Sequence, residues 1–289
     1  ADKPIVFTAN TTSPVSGYWG GVIINGKAPI SGSKTDKSDT ALTEINNDYK
    51  YGGSAADDNS GSLTYVKICY AGARSTADIE HNGLTLNGVG NGTKIENIYV
   101  LESADDAIEF FGGTVNVTNL LAVNPDDDMF DFTQGYSGTL KNCYGVWENG
   151  YTSTEADPRG IEADGNLDGL YPTHLRQSDF RVENMTIVNN AADKADNVDR
   201  MQDVIKIRRG AKAAIVNALV KGTGGSIDLI DMSDSKGAGN ADSSVSITNS
   251  LNLTGKKLNG TLNTFAEPAG NTGTEASLFT WTGYNFSSL

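Results

Sequence analysis

An asparagine recurs six times in the same short apolar frame, always two positions after an aliphatic residue. The six are Asn97, Asn119, Asn142, Asn184, Asn217 and Asn249. Their successive spacings of 22, 23, 42, 33 and 32 residues indicate a coil of about 22 residues that sometimes carries an insertion, which is typical of a solenoid. Asparagine tolerates the left-handed backbone conformation, and stacked amides can bond each other. We therefore predict a structural ladder and assign these residues no chemistry.

The coil between residues 91 and 113 predicts three short strands. They fall at 94–95, 98–100 and 107–110, with Asn97 at the bend between the first two. Three strands in each coil predict an all-β fold, a parallel β-helix of about seven or eight coils. We expect a single domain that covers residues 1–289.

The third strand of this coil recurs along the chain as the rungs of one sheet. The rungs are predicted at 21–24, 83–86, 107–110, 129–132, 160–163, 204–207 and 226–229. Alternation points a set of apolar residues inward, namely Ile108, Phe110, Phe130 and Phe132. Glu109 and Asp131 must then point outward.

The chain is acidic, with a formal net charge of −14 at pH 7. Phosphate binding needs clustered Lys and Arg, so we expect neither nucleic acid nor an anionic membrane as a partner. No stretch approaches the roughly 18 apolar residues of a membrane span, so we expect no membrane insertion. Residues 1–7 already fit a strand, which suggests a portion of a longer protein.

Cys69 and Cys143 are the only cysteines. The repeat places them about three coils apart, or roughly 14 Å at a strand spacing of ~4.8 Å. A disulfide needs Cα atoms within about 7 Å of each other. We therefore predict two buried free thiols.

Several segments resemble the right-handed parallel β-helix of the pectin-lyase-like superfamily, and more narrowly secreted bacterial β-helix proteins of uncertain function. The segments are 19–29, 82–86, 110–115 and 279–284, and the asparagine-turn coils add to them. The resemblance covers nearly the whole chain. It implies a protein that is extracellular or attached to the bacterial cell surface, and it supplies no catalytic motif.

Long insertions are predicted at 27–60, 148–159 and 164–179, and residues 260–289 are predicted to form a C-terminal cap. In the pectin-lyase-like superfamily the substrate groove usually lies over the sheet that such loops flank, so the resemblance places a groove there. Binding residues concentrate on loops held by a rigid scaffold.

Four residues in or beside this groove are candidate ligand-binding residues, namely Trp147, Tyr151, Tyr171 and Glu162. An exposed aromatic face stacks on sugar rings or packs against another protein. The alternative is that the three aromatic residues staple the insertions to the helix.

Alignment of the coils on their inward residues places the acidic residues in three columns, ~4.8 Å apart from coil to coil. The columns are Asp105, Asp127, Pro158 and Gln202; Asp106, Asp128, Arg159 and Asp203; and Glu109, Asp131, Glu162 and Lys206. Carboxylates this close repel unless a cation or proton intervenes, and Ca²⁺ takes six to eight oxygen ligands. We therefore predict Ca²⁺ near Asp105, Asp106, Asp127, Asp128, Glu109 and Asp131. The alternative is a solvated acidic surface.

Two enzyme classes remain open on the same face. A polysaccharide lyase would use Arg159 or Lys206 as a base, although Arg159 fits a salt bridge to Asp157 or Glu162 equally well. A glycoside hydrolase would pair carboxylates such as Glu109 and Asp131, ~5–5.5 Å apart in retaining enzymes and ~6.5–9.5 Å apart in inverting ones.

The sequence therefore predicts an exported binding, adhesive or surface-structural module that calcium stabilises. Its expected partner is a polysaccharide or another cell-surface component. The alternative is an enzyme that acts on polysaccharide, either a lyase of uronic-acid polymers or a glycoside hydrolase.

Overall fold

A computed structural model describes residues 3–33, 39–75, 79–192 and 200–289. Sheet A has nine parallel strands in the order β1 (Ile5–Phe7), β5 (Ser62–Cys69), β7 (Lys94–Leu101), β9 (Asn116–Val123), β11 (Thr139–Trp147), β13 (Asp179–Asn189), β15 (Lys212–Lys221), β17 (Ser244–Asn249) and β19 (Thr264–Ala266). Sheet B has eight, in the order β2 (Val22–Asn25), β6 (Leu84–Asn87), β8 (Ile108–Phe111), β10 (Phe130–Thr133), β12 (Ile161–Asp164), β14 (Met201–Arg208), β16 (Gly225–Asp231) and β18 (Asn252–Leu253). Each coil gives one strand to each sheet, so the chain is the predicted parallel β-helix.

An antiparallel hairpin and three short 3₁₀-helices complete the described elements. The hairpin is formed by β3 (Thr40–Thr43) and β4 (Asn46–Gly52). The 3₁₀-helices are Leu167–Gly169, Ala276–Thr282 and Phe286–Ser288. The described residues contain no helix that is long and apolar enough to span a membrane.

Two of the three strands predicted for each coil are in fact one strand that bends. Asn97 lies inside β7 with φ +57°, and β7 pairs with its neighbours on both sides of this residue. A single left-handed residue turns the chain while the pairing resumes at once. Sheet A therefore covers two faces of the coil, and sheet B covers the third.

The asparagine side chains form a ladder along this bend, as predicted. Each Nδ2 donates at 2.9 Å to the Oδ1 of the asparagine one coil earlier, in the series Asn217, Asn184, Asn142, Asn119 and Asn97. The prediction was wrong for Asn249, which lies opposite Val220 in β15. The register shifts between Ile215 and Ala218, because β17 has one residue fewer at the bend.

We expect Asn142→Ala to lower the free energy of unfolding by about 2–3 kcal/mol. The substitution removes two amide hydrogen bonds of about 1 kcal/mol each and leaves a Cβ-bearing residue without them at φ +56°. Asn142→Gly should cost about 1 kcal/mol less, because glycine tolerates this conformation. Urea unfolding of both variants measures the difference. A loss below about 0.5 kcal/mol for Asn142→Ala would mean that the ladder does not stabilise the fold.

Aromatic side chains stack along the core between the two sheets. The ring of Phe132 lies 5.0 Å from that of Phe110 and 4.1 Å from that of Phe180, both in stacked geometry. The residues predicted to point inward are all 0 % exposed, namely Ile108, Phe110, Phe130 and Phe132. Alternation along β8 and β10 then places Glu109 and Asp131 on the outer face of sheet B.

The two cysteines are buried free thiols, as predicted. Cys69 lies in β5 and Cys143 in β11, with β7 and β9 between these strands. Burial raises the pKa of Cys69 to about 11 and shifts the pKa of Cys143 in the same direction. Both thiols therefore stay protonated at neutral pH and are not nucleophiles there.

The segment predicted as a cap, 260–289, covers the last coil only in part. Its strand β19 pairs with β17, after which the chain runs back along the outer face of sheet A. Phe279 is fully buried and packs edge to face on Tyr144 of β11. Lys67 of β5 donates to the carbonyl of Thr282 at 2.5 Å. Most of the segment is therefore a strap that joins distant coils.

The predicted insertions rise on both edges of sheet B. Insertion 148–159 precedes β12, whereas insertions 27–60 and 164–179 follow strands of sheet B. These last two meet where His174 Nε2 lies 2.9 Å from Asp39 Oδ2. The hairpin β3–β4 belongs to the first of them and folds over sheet B, so the groove has a partial roof.

Candidate functional site

The outer face of sheet B carries an acidic column in the predicted register. Its neighbouring members are Glu109, Asp131, Glu162 and Lys206. The next coil places Asp231 opposite Lys206, whereas the sequence alignment had placed Asp228 there. The rung predicted at 226–229 was therefore three residues early. The alternation of apolar and polar residues could not distinguish the two registers, because Ile227 and Asp228 show the same pattern as Ile230 and Asp231 of the observed rung.

The two other predicted columns stack along the edge that precedes sheet B. In one column, each backbone carbonyl accepts a hydrogen bond from a backbone N–H of the preceding coil. These carbonyls belong to Asp106, Asp128, Arg159 and Asp203. The backbone N–H of Asp128 also donates to Oδ1 of Asp106 at 2.9 Å. These bonds hold carboxylates of consecutive coils side by side.

Arg159 is enclosed by carboxylates and only 5 % exposed. Its guanidinium lies 2.6 Å from Asp157 and 3.5 Å from Asp203, and it also pairs with Glu162. Burial alone would lower the pKa of Arg159, but the charges of Glu162 and Asp128 outweigh burial and raise it. A guanidinium held in the protonated form is poorly suited to take a proton from a substrate.

The other basic side chains of this face are engaged in the same way. Lys206, also a candidate base, pairs with Asp231. Arg208 lies 2.7 Å from Asp164 and pairs with Glu162. Most carboxylates in the half of the face formed by β12, β14 and β16 are therefore paired with cations of the same half. These carboxylates belong to Glu162, Asp164, Asp203 and Asp231.

The half formed by β8, β10 and the loops before them lacks such partners. Among the described residues, no basic side chain lies within 4.0 Å of the carboxylates of Asp105, Asp106, Glu109, Asp127 and Asp131. Two trios have oxygens within 4.8 Å of one another, namely Asp105, Asp106 and Asp127, and Asp106, Glu109 and Asp131. Buried Oδ1 atoms without a hydrogen-bond donor belong to Asp127, Asp128 and Asp131. These oxygens are available to a cation.

Burial and mutual repulsion raise the pKa of these carboxyl groups. The pKa of Asp127 rises to about 7, first because of burial and then because of the charges of Glu162 and Asp157. Burial and neighbouring charges also raise the pKa of five other carboxyl groups well above the usual range. These groups belong to Asp105, Asp106, Glu109, Asp128 and Asp131. Without a cation, burial and repulsion therefore favour the protonated form of these carboxyl groups.

A half-open pocket of about 400 Å³ lies above the column that contains Glu109. Glu109, Asp131 and Glu162 line its floor, and Glu44 stands at its mouth on the turn of the hairpin. Burial and the nearby Glu80 raise the pKa of Glu44 to about 7. Sequence reasoning missed Glu44, because the hairpin pattern in insertion 27–60 does not reveal which way the hairpin folds.

The aromatic candidates differ in their access to a ligand. Trp147 is 1 % exposed and donates from its indole to the carbonyl of Pro125, so it offers no free face. Tyr151 donates to the same carbonyl and lines a second hollow of about 560 Å³ beside Asp126. Tyr171 lies in insertion 164–179 and lines neither of these two hollows.

The chain belongs to the family of pectate-lyase-like β-helix domains, whose family model matches residues 1–283. No curated protein and no solved structure matches it. The family agrees with the resemblance seen in the sequence and with the two parallel sheets. What this domain does has to be argued from its site, because a fold does not determine an activity.

Proposed function

We propose that this chain is a calcium-dependent binding module whose cation lies against the half of sheet B formed by β8 and β10. The observation that carries the proposal is the unequal distribution of charge on this face. Arg159, Lys206 and Arg208 form ion pairs with the carboxylates of one half. In the other half, five carboxylates have no basic partner within 4.0 Å among the described residues, namely those of Asp105, Asp106, Glu109, Asp127 and Asp131. Carboxylates this close do not all ionise without a counter-ion.

The donor set fits calcium better than a transition metal. All candidate ligands are carboxylate oxygens, which hard cations prefer, and Ca²⁺ accepts six to eight of them in a flexible geometry at 2.3–2.6 Å. Asp106 belongs to two acidic trios, one with Asp105 and Asp127 and one with Glu109 and Asp131, so we propose it as the central ligand. Asp105 and Asp127 would complete one side, and Asp128, whose Oδ1 has no hydrogen-bond donor, follows Asp106 in its column.

We also propose that the chain lies outside the cell and that its partner is a polysaccharide or another cell-surface component. Extracellular modules bind calcium with Kd values of about 10⁻⁴–10⁻³ M, and such weak sites fill only where calcium is abundant. The insertions 148–159 and 164–179 form walls beside the site, and loops of this kind carry most binding surfaces. The formal charge of −14 favours a neutral or cationic partner.

Calcium titration by calorimetry should give a Kd that weakens about tenfold or more in Asp127→Asn. The substitution keeps the shape of the side chain and removes the charge that a hard cation needs. Asp179→Asn is the matched control, because Asp179 is exposed on β13 and forms an ion pair, among the described residues, with Lys212 alone at 3.3 Å. An unchanged Kd in Asp127→Asn, or no binding by the wild type at millimolar calcium, would contradict the proposal.

One observation supports a second candidate function, the hydrolysis of a glycoside. Glu109 and Asp131 are cross-strand neighbours that face the pocket, with oxygens within 4.8 Å of each other. Retaining glycoside hydrolases hold their two carboxyl groups ~5–5.5 Å apart. The lyase alternative has less support, because Arg159 and Lys206 are ion-paired. Assays for reducing sugars and for unsaturated products on a panel of polysaccharides separate an enzyme from a binding module.

A further inference from the structure

We infer that the pocket beneath hairpin β3–β4 binds a primary ammonium group carried on an alkyl chain. None of Asp105, Asp106 and Asp127 lines this pocket, so the site is distinct from that calcium trio, although an oxygen of Asp106 lies within 4.8 Å of oxygens of Glu109 and Asp131 on the pocket floor. The inference goes beyond calcium binding, and it stands on the polar atoms, the charge and the walls of the pocket.

The buried polar atoms of the pocket that lack a partner are hydrogen-bond acceptors. Asn82 is 2 % exposed, and its Nδ2 donates to Glu109 at 2.5 Å. Its Oδ1 is then left without a donor, as is Oδ1 of Asp131 on the floor. A buried acceptor without a donor costs about 1–3 kcal/mol, so a ligand that donates hydrogen bonds would recover this energy.

Three of the donor side chains that line the pocket are already used within the protein. The hydroxyl of Tyr51 donates to Gln134 at 2.7 Å, and Nδ2 of Asn87 donates to Asn25 at 2.9 Å. Arg208 is held by two carboxylates of β12. A carboxylate or phosphate ligand would find no free donor among these groups, which disfavours an anionic ligand.

The charge of the pocket points to a cation. Glu44, Glu109 and Asp131 line it and form no ion pair within 4.0 Å among the described residues. Two of them lie on the floor and the third lies at the mouth, so they approach a bound group from opposite sides. A primary ammonium has three donors and no acceptor, which matches these carboxylates and the Oδ1 of Asn82.

The apolar walls of the pocket favour a ligand in which the charged group is attached to an alkyl chain. A volume of about 400 Å³ is far larger than a single metal ion, and part of the lining is apolar, with Leu42, Ile45, Leu167 and Phe111. The ring of Phe111 packs edge to face against Tyr51, with centroids 6.4 Å apart. An alkyl chain contacts these side chains favourably, and aromatic rings attract a nearby cation.

Calorimetry in EDTA with 1,5-diaminopentane tests the inference. The wild type should bind this diamine, whereas the neutral isostere 1,5-pentanediol should bind at least about tenfold more weakly, because charge-assisted hydrogen bonds are the stronger ones. Glu109→Gln should weaken diamine binding about tenfold or more. Glu96→Gln is the matched control on sheet A and should leave the Kd unchanged, because Glu96 faces away from this pocket and pairs with Lys94.

Additional variants and ligands distinguish the possible results of this experiment. Equal binding of the diol and the diamine, or an unchanged Kd in Glu109→Gln, would overturn the inference. If Glu109→Gln fails to fold, Glu44→Gln on the exposed turn replaces it and should weaken the diamine severalfold. Nα-acetyl-lysine amide distinguishes a lysine side chain from a free amine as the source of the ammonium. Asp127→Asn should weaken calcium but keep diamine binding within about twofold, which separates failure of this inference from failure of the calcium proposal.

Discussion

Arg159→Met should lower the free energy of unfolding by about 3–5 kcal/mol, because it removes the cation from a buried ionic network. Asp157, Asp203 and Glu162 all lie against this guanidinium. Glu162 and Asp203 are mostly buried, so their charges would be left without compensation. Urea unfolding at pH 8 in EDTA measures the loss with the carboxylates ionised.

The controls separate the network from a general effect of charge removal. Arg181→Met removes a surface cation that pairs with Glu183 and should cost less than about 1 kcal/mol. Arg159→Met combined with Glu162→Gln should recover part of the loss, because the double variant removes one of the stranded charges. Stability within about 1 kcal/mol of the wild type in Arg159→Met would show that this network does not hold the strands of sheet B together.

Without calcium, stability should fall by about 2–4 kcal/mol as the pH rises from 5 to 8. The carboxyl groups around Asp106 have a pKa raised above the usual value near 4, and that of Asp127 reaches about 7. A raised pKa means that the folded state holds its protons more tightly than the unfolded state does. The stabilisation is full below the unfolded value and is lost as the pH rises through the folded value. Thermal unfolding in EDTA across this range measures the fall.

Calcium should reverse this fall at pH 8 and have little effect at pH 5, where protons occupy the same oxygens. Asp127→Asn should flatten the dependence, because it removes one of the groups that titrate. The range from pH 5 to 8 avoids Asp231 and Asp234, whose pKa values are lowered below their usual value by hydrogen bonds that outweigh burial. Stability that rises between pH 5 and 8 in EDTA would contradict this account of the acidic face.

The repeat predicts most of the fold because each coil must turn at the same place and satisfy the amide groups of that turn. An asparagine at φ near +57° turns the chain, and its amide bonds to the equivalent asparagine one coil away. The spacing of Asn97, Asn119 and Asn142 therefore carries both the period and the register. The prediction fails at Asn249, because a one-residue deletion at the bend keeps the local frame and changes the pairing.

The acidic columns were predicted because parallel pairing converts sequence alignment directly into neighbours in space. The pairing of Glu109 with Asp131 follows once the inward residues are known. The roof over this column could not be predicted, because Glu44 reaches it through the tertiary packing of an antiparallel hairpin. The sequence left two alternatives open for Trp147, a ligand contact or a staple to the helix, for a similar reason: its partner is the carbonyl of Pro125, one coil away.

A crystal structure obtained in calcium, with anomalous data to locate the ion, tests the central claim most directly. We predict one ion among Asp105, Asp106 and Asp127, at Ca–O distances of about 2.3–2.6 Å. An ion found only among Asp203, Asp228 and Asp231, whose oxygens also lie within 4.8 Å of one another, would contradict the account. So would the absence of any ion from the acidic half of sheet B at millimolar calcium.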